Sequence, residues 1–415
     1  MTETAAQQDR QIDIESAKAA AVAAIDAAAE SLVRLSKYIH ANPEIALEEV
    51  KASAACAEFL EERGFAVERA VAELPTAFAA SFTAGEGEPH IAYLSEYDAL
   101  PNLGHGCGHN LIAIAGIGAG VGLAAALRYL PGGRVSVFGT PAEEAVGGKI
   151  IMAEAGVFDG VDAAMGAHPG TSEAVCPTVE GSGQALACVL VRIAFHGQAA
   201  HAAADPWNGA NALNAVIATF NGIDALRQHV RSDARIHGIV THGGDAPNVV
   251  PHYAAAEFFV RGATVAYMHE LVEKVGKIAE GAALITGCRL ELEVPEPANF
   301  DMIVNYPIAR AMKRHLDDVG LAMPEATPAE GSGSTDWGNV SYVVPSVETA
   351  YPILDRVCTW HSQDVVDASD SELGYANTLK VAKAMALTGI DLLADPELME
   401  QARREFAREK KARES

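Results

Sequence analysis

A chain of 415 residues, 49% of them hydrophobic, has material for more than one buried core, so two globular domains are expected. Thirty Lys and Arg against 55 Asp and Glu give a formal charge of −25, which repels nucleic-acid phosphates and anionic lipid surfaces and argues against both as partners. Met1 to Ser16 lacks the basic start and apolar core of a secretory signal, and the six cysteines are widely scattered, so reduced thiols in a cytoplasmic protein are expected.

In chain order, the Ala-rich stretch Ile12 to Tyr38 predicts a long helix, and Ser53 to Gly64 a second one, capped by serine and ended by glycine. The period then changes. Ala77 to Phe82, His90 to Ser95, Val135 to Thr140 and Ala163 to Ala167 read as strands, separated by helical stretches at Leu111 to Tyr129 and Gly148 to Ala155. The longest apolar run, Leu111 to Leu127, is rich in Gly and Ala and shorter than the roughly 20 residues a membrane span needs, so it reads as a buried helix. This alternation predicts an α/β sheet.

Past Glu180-Gly181-Ser182-Gly183 the order becomes strand Ala187 to Phe195, helix Gly209 to Val230, strands Ile236 to His242 and Tyr253 to Arg261, helix Val265 to Gly281 and strand Arg289 to Val294. That is the ferredoxin-like α+β order. It divides the chain into a catalytic domain over 1–183 and 298–415 with an insert at 184–297. Helix Ile308 to Val319, a strand-like Tyr342 to Ser346, helix Ser371 to Leu393 and a charged helical tail from Glu397 complete the first domain.

The chemistry concentrates at Gly104-His105-Gly106-Cys107-Gly108-His109, where imidazoles and a thiol stand between glycines that let the backbone approach an ion. Glu143-Glu144 follow a strand-like run and the turn Gly139-Thr140-Pro141, and adjacent carboxylates there can divide labour between holding a cation and moving a proton. His168 closes the run Ala163 to Ala167 and is fixed by Pro169, and His361 follows Trp360. These types together predict metal-assisted hydrolysis, with zinc, manganese, cobalt or iron all compatible.

The order His-Gly-Cys-Gly-His, Gly-Thr-Pro-Ala-Glu-Glu, Ala-His-Pro and a late His resembles metallopeptidase family twenty over nearly the whole chain. That family holds aminoacylases, glutamate carboxypeptidases and auxin-conjugate amidohydrolases. The resemblance implies a mixed-sheet metallo-exopeptidase domain carrying an inserted dimerisation (lid) domain. It implies one or two divalent ions, Mn or Zn first among them, with Cys107 bridging, Glu144 and His361 on one ion and His109 and His168 on the other. Glu143 would be general base and acid, and Asp98 in Tyr97-Asp98-Ala99-Leu100-Pro101 would orient a ligand. In the insert, His201 matches the family histidine that crosses a homodimer to polarise the scissile carbonyl, and Asn248 and Arg261 match positions that hold a substrate carboxylate.

Two departures place the chain nearest the p-aminobenzoyl-glutamate hydrolase and dipeptidase-like subgroup. Asn110 stands where many members carry Asp, which removes a charge near the metals. Gly331 to Gly338 reads Gly-Ser-Gly-Ser-Thr-Asp-Trp-Gly, so that Ser334 and Asp336 are expected to line the substrate pocket. The expected activity is hydrolysis of the amide of an N-acyl or N-aroyl amino acid or a small dipeptide. The alternative on the same site is release of ammonia from an electron-poor aromatic amine.

Overall fold

The computed structural model describes residues 12–328 and 333–414. The chain divides into two compact units, Met1–Gln184 with Ile303–Ala329 and Asn339–Ser415, and Ala185–Met302 with Glu330–Gly338.

The first unit begins with α1 (Ile14–Ala41), α2 (Val50–Glu61) and β1 (Ala66–Arg69), then β2 (Phe78–Ala84), β3 (His90–Ser95), α3 (His109–Ala126), β4 (Gly133–Gly139), α4 (Gly148–Glu154) and β5 (Ala163–Gly170). The second unit contributes β6 (Ala187–His196), α5 (Ala212–Leu226), β7 (Arg235–His242), β8 (Tyr253–Gly262), α6 (Val265–Thr286) and β9 (Arg289–Glu293). The chain ends with α7 (Tyr306–Asp318), α8 (Trp337–Ser341), β10 (Ser346–Pro352), α9 (Gln363–Ala368), α10 (Glu372–Ala394) and α11 (Pro396–Glu414).

Six strands of the first unit form a mixed sheet in the order β1-β2-β4-β3-β5-β10. The four from β4 to β10 run parallel, and β1 and β2 add an antiparallel edge. Helix α3 packs against β3, β4 and β5 and against α1 and α10. Its glycines explain the close approach: a Cβ on Gly116 would lie 2.4 Å from Ser95 Oγ, and one on Gly120 2.3 Å from Val137 Cγ2. By length and composition the stretch His109–Tyr129 could cross a membrane, but 83% of its apolar window is buried inside the protein. It is the central helix of a core, apolar on every side because every side is packed.

In the second unit an antiparallel sheet, β7-β8-β6-β9, carries α5 and α6 over a core of Val191, Phe195, Val216, Phe258, Met268 and Leu271. Strand β7 is an edge strand with Ile239 and Val240 exposed.

Two local expectations are corrected. Helix α2 starts at Val50 after Glu49, so Ser53 lies within the helix and does not cap it. The strand expected at Tyr342 to Ser346 starts only at Ser346, where parallel pairing with Ala164 begins, and Asn339 and Val340 close turns before it.

Candidate metal centre

The C-terminal ends of the parallel strands are where an open α/β sheet presents side chains to a common crevice. Here β3 leads into Glu96-Tyr97-Asp98, β4 into Glu143-Glu144, β5 ends around His168, and His361 lies in the loop after β10. The loop between β3 and α3 adds Cys107 and His109. Gly108 stands between them with φ +81°, and a Cβ there would meet Pro169 Cγ at 2.9 Å, so the position requires glycine.

Six side chains converge. Donor atoms lie within 4.8 Å of one another in three overlapping groups: Cys107, His109 and His168; Cys107, Glu144 and His361; and His109, Glu143 and Glu144. Cys107 Sγ is 3.4 Å from His168 Nε2 and accepts a hydrogen bond from Trp360 Nε1 at 3.3 Å. Glu144 Oε1 is 3.5 Å from His361 Nε2 and 3.8 Å from His109 Nε2. His361 is held at φ +57°, an uncommon conformation for a residue with a side chain, at a position where its ring meets Glu144.

The surrounding residues fix which atoms face the centre. Asp98, buried, accepts from His109 Nδ1 at 2.8 Å through Oδ1 and from the Glu144 backbone N–H at 3.0 Å through Oδ2. One carboxylate therefore ties the loop after β3 to the loop after β4, and it leaves His109 Nε2 turned toward the centre. Likewise His168 Nδ1 pairs with the Pro169 carbonyl at 2.7 Å, which leaves Nε2 on the Cys107 side.

Glu49, buried at the N-terminus of α2, accepts from the Ala142 N–H at 2.9 Å and the Thr76 hydroxyl at 2.8 Å. It thereby anchors Ala142 at φ +62°, one residue before Glu143. Sequence reasoning missed Glu49, and also Glu96 and Lys149, a fully buried ion pair at 2.8 Å beside His109. The signal for Glu96 was its position two residues before Asp98 at a strand end.

Electrostatics follow from this packing. Burial works against the His109 imidazolium, yet the charges of Asp98 and Cys107 outweigh it and hold its pKa well above the ordinary range. Burial likewise raises Asp98, but the His109 charge and hydrogen bond bring it below the usual carboxylate value. For Glu49, burial dominates and pushes the carboxyl up. His105 is directed elsewhere, with Nε2 on the Ile39 carbonyl at 3.2 Å, and burial drives its pKa down to about 3.

The donor set fits a divalent cation. Imidazole nitrogen, thiolate and carboxylate oxygen are the ligands of zinc-like metals. His109 Nε2 and Glu144 Oε1 are buried with no hydrogen-bond partner among the described residues, and both belong to the converging set.

The remaining sequence-predicted residues lie in the second unit. His201 is exposed, and its Nδ1 accepts from the N–H groups of Ala203 and Ala204 at 3.2 and 3.1 Å, which leaves the hydrogen on Nε2. Asn248 is exposed on the adjoining segment, where its carbonyl accepts from Ala202 N at 3.0 Å. Arg261 donates to Ser334 Oγ at 3.2 Å, and Asp336 is buried. Gly331 and Ser332 of the same motif lie outside the described residues.

The chain is 37% identical over 408 residues to the Xaa-Arg dipeptidase of Mus musculus, covering 95% of this chain and 93% of that protein. The chain belongs to the M20 peptidase family. Residues 188–286 match the M20 peptidase dimerisation domain. A polypeptide of the p-aminobenzoyl-glutamate hydrolase of Escherichia coli is 30% identical, covering 92% of this chain and 93% of that one. Among solved structures, a dinuclear metal-binding M20 peptidase of Bacillus subtilis has the same fold, with TM-score 0.64 at 22% identity over 86% of this chain and 98% of that one. This M20 chain is thus a hydrolase of that family, and its own converging donor set is that of a metal-dependent one. Release of ammonia from an aromatic amine is not favoured, because the relatives matched over nearly the full chain are named for amide hydrolysis.

Proposed function

We propose that this protein hydrolyses dipeptides and related N-acyl amino acids with a free carboxylate, Xaa-Arg dipeptides first and p-aminobenzoyl-glutamate second. The observation that carries this is the convergence of Cys107, His109, Glu143, Glu144, His168 and His361, with the buried atoms His109 Nε2 and Glu144 Oε1 turned inward. The order of substrates follows the identities of the relatives that bear those names.

Cys107, His109, Glu144, His168 and His361 would hold one or two divalent ions, Mn or Zn. When bound, such an ion polarises the scissile carbonyl and lowers the pKa of water from about 15.7 toward about 7. Glu143 takes the proton from the attacking water and delivers it to the leaving nitrogen. His201, of the second subunit in a homodimer formed through the second unit, donates from Nε2 to the developing oxyanion. Arg261 and Asn248 bind the substrate carboxylate, and Ser334 and Asp336 line the pocket. The proposed location is the cytoplasm, where six free thiols persist.

The test is product release by purified protein loaded with Mn(II) or Zn(II), across Xaa-Arg dipeptides, p-aminobenzoyl-glutamate, N-acetyl amino acids and electron-poor aromatic amines. Cleavage of the carboxylate-bearing amides is expected. Ammonia from the aromatic amines with every amide intact overturns the reading.

A further inference from the structure

Glu96 stands outside the three converging groups, and its surroundings are unusual for a carboxylate. It follows the last residue of β3 and is 1% exposed. Oε1 lies 2.8 Å from the ammonium of Lys149, itself 0% exposed. Lys149 reaches this depth because α4 starts hard against the preceding turn: a Cβ on Gly148 would lie 2.0 Å from the Pro141 carbonyl oxygen. With Oε1 so held, Oε2 is turned to His109 Nε2 at 3.5 Å, and neither atom has a hydrogen-bond partner among the described residues.

His109 gives its Nδ1 hydrogen to Asp98, so in the neutral ring Nε2 carries a lone pair. Two lone pairs that face each other in a buried site repel unless a cation lies between them. A metal fits this spacing: two ligands about 2.1 Å from a tetrahedral ion stand about 3.4 Å apart. The same spacing separates Cys107 Sγ from His168 Nε2, at 3.4 Å.

The Asn110 side chain is engaged elsewhere, its amide nitrogen donating to Ser36 Oγ at 2.8 Å and the Ser369 carbonyl at 2.9 Å. We infer that Glu96 is a further ligand to a divalent cation, binding through Oε2 beside His109 Nε2, with Lys149 clamping the other oxygen. This inference rests on the reading of the centre as a metal site.

The experiment is equilibrium dialysis of the full-length protein against Mn(II) and Co(II), with metal analysis and the visible spectrum of the cobalt form. Glu96→Gln alone removes the carboxylate that Lys149 faces, so the informative comparison is Lys149→Met against Glu96→Gln/Lys149→Met. If Glu96 is a ligand, Lys149→Met, which loses the clamp and keeps the carboxylate, still takes up the metal and serves as the reference for the double variant. The double variant then binds one ion at least about tenfold more weakly, with an altered cobalt spectrum. A double variant with wild-type affinity and spectrum overturns the inference. Should the double variant fail to fold by circular dichroism, Glu96→Asp replaces it, keeping the charge while withdrawing the oxygen by one methylene. Weaker binding again supports the inference, and unchanged affinity overturns it. Wild-type protein that takes up neither metal overturns the reading of the centre itself, a distinguishable result.

Discussion

Asp98 holds His109 and the backbone of Glu144 with the two oxygens of a single buried carboxylate, at 2.8 and 3.0 Å. Two loops from different strands are thereby locked in one register, and the ring nitrogen that faces the centre is chosen by the one that does not. Asp98→Ala leaves a buried ring N–H and a backbone N–H without their acceptor. Metal affinity is expected to fall by about 10–100-fold, read by Mn(II) titration calorimetry. Unchanged affinity would show that the His109 ring is positioned by packing alone.

Glu143 is assigned the proton transfer and Glu144 the cation, so replacing each should separate two losses. Glu143→Gln is expected to retain its metal and lose turnover by about 10²–10⁴-fold, whereas Glu144→Gln loses metal first. Metal analysis and dipeptide hydrolysis on the same preparations check this. Equal behaviour of the two variants would remove the division of labour.

What the sequence made legible was the residues whose chemistry is local: Cys107 and His109 within one glycine loop, Glu143-Glu144 after one strand, His168 before one proline. The supporting residues were hidden because their roles depend on distant segments. Glu96 pairs with Lys149 only because α4 begins in contact with Pro141. Glu49 precedes α2 where a serine cap was expected at Ser53, and its side chain serves Ala142 and Thr76 instead of the helix. Serine-capping preference is a local rule, and a buried tertiary contact overrode it. The start of β10 was likewise fixed by pairing with β5, which the apolar run Tyr342 to Ser346 could not register.

That role of Glu49 is testable. Glu49→Ala removes the acceptor for the Ala142 N–H and the Thr76 hydroxyl, two buried groups, and is expected to cost about 2 kcal/mol or more of stability. Because Ala142 stands at φ +62° one residue before Glu143, kcat should fall while metal content is retained. Urea denaturation and steady-state kinetics report the two effects, and a variant with normal kcat would restrict Glu49 to a structural role.

His90, remote in sequence from the ligands, predicts an acid limb of stability. It is buried at the start of β3, with Nε2 on Ser136 Oγ at 2.8 Å and Nδ1 on the Gly160 carbonyl at 3.2 Å. Burial first, and the Arg134 charge second, bring its pKa down to about 4 from the ordinary 6.5. The unfolded chain takes up the proton first, so the contribution is complete above pH 6.5, declines as pH falls toward 4, and is gone below. Its size is about 3 kcal/mol. His90→Gln should flatten the difference between urea midpoints at pH 7 and pH 4.5, and an equally steep decline in the variant would assign the acid limb to other groups.

The proposed placement of His201 in its partner's site makes a prediction that a histidine acting within its own subunit would not. Its Nδ1 is occupied by the N–H groups of Ala203 and Ala204, so the ring offers a donor at Nε2 whatever subunit it serves. Glu143→Ala and His201→Ala homodimers are each expected to be nearly inactive. After subunit exchange in an equal mixture, half of the dimers combine the two chains. In each of these, one site has an intact Glu143 and receives an intact His201, so activity should return to about one quarter of wild type. If His201 acts within its own subunit, no mixed dimer contains a complete site, and the mixture stays as inactive as its parents.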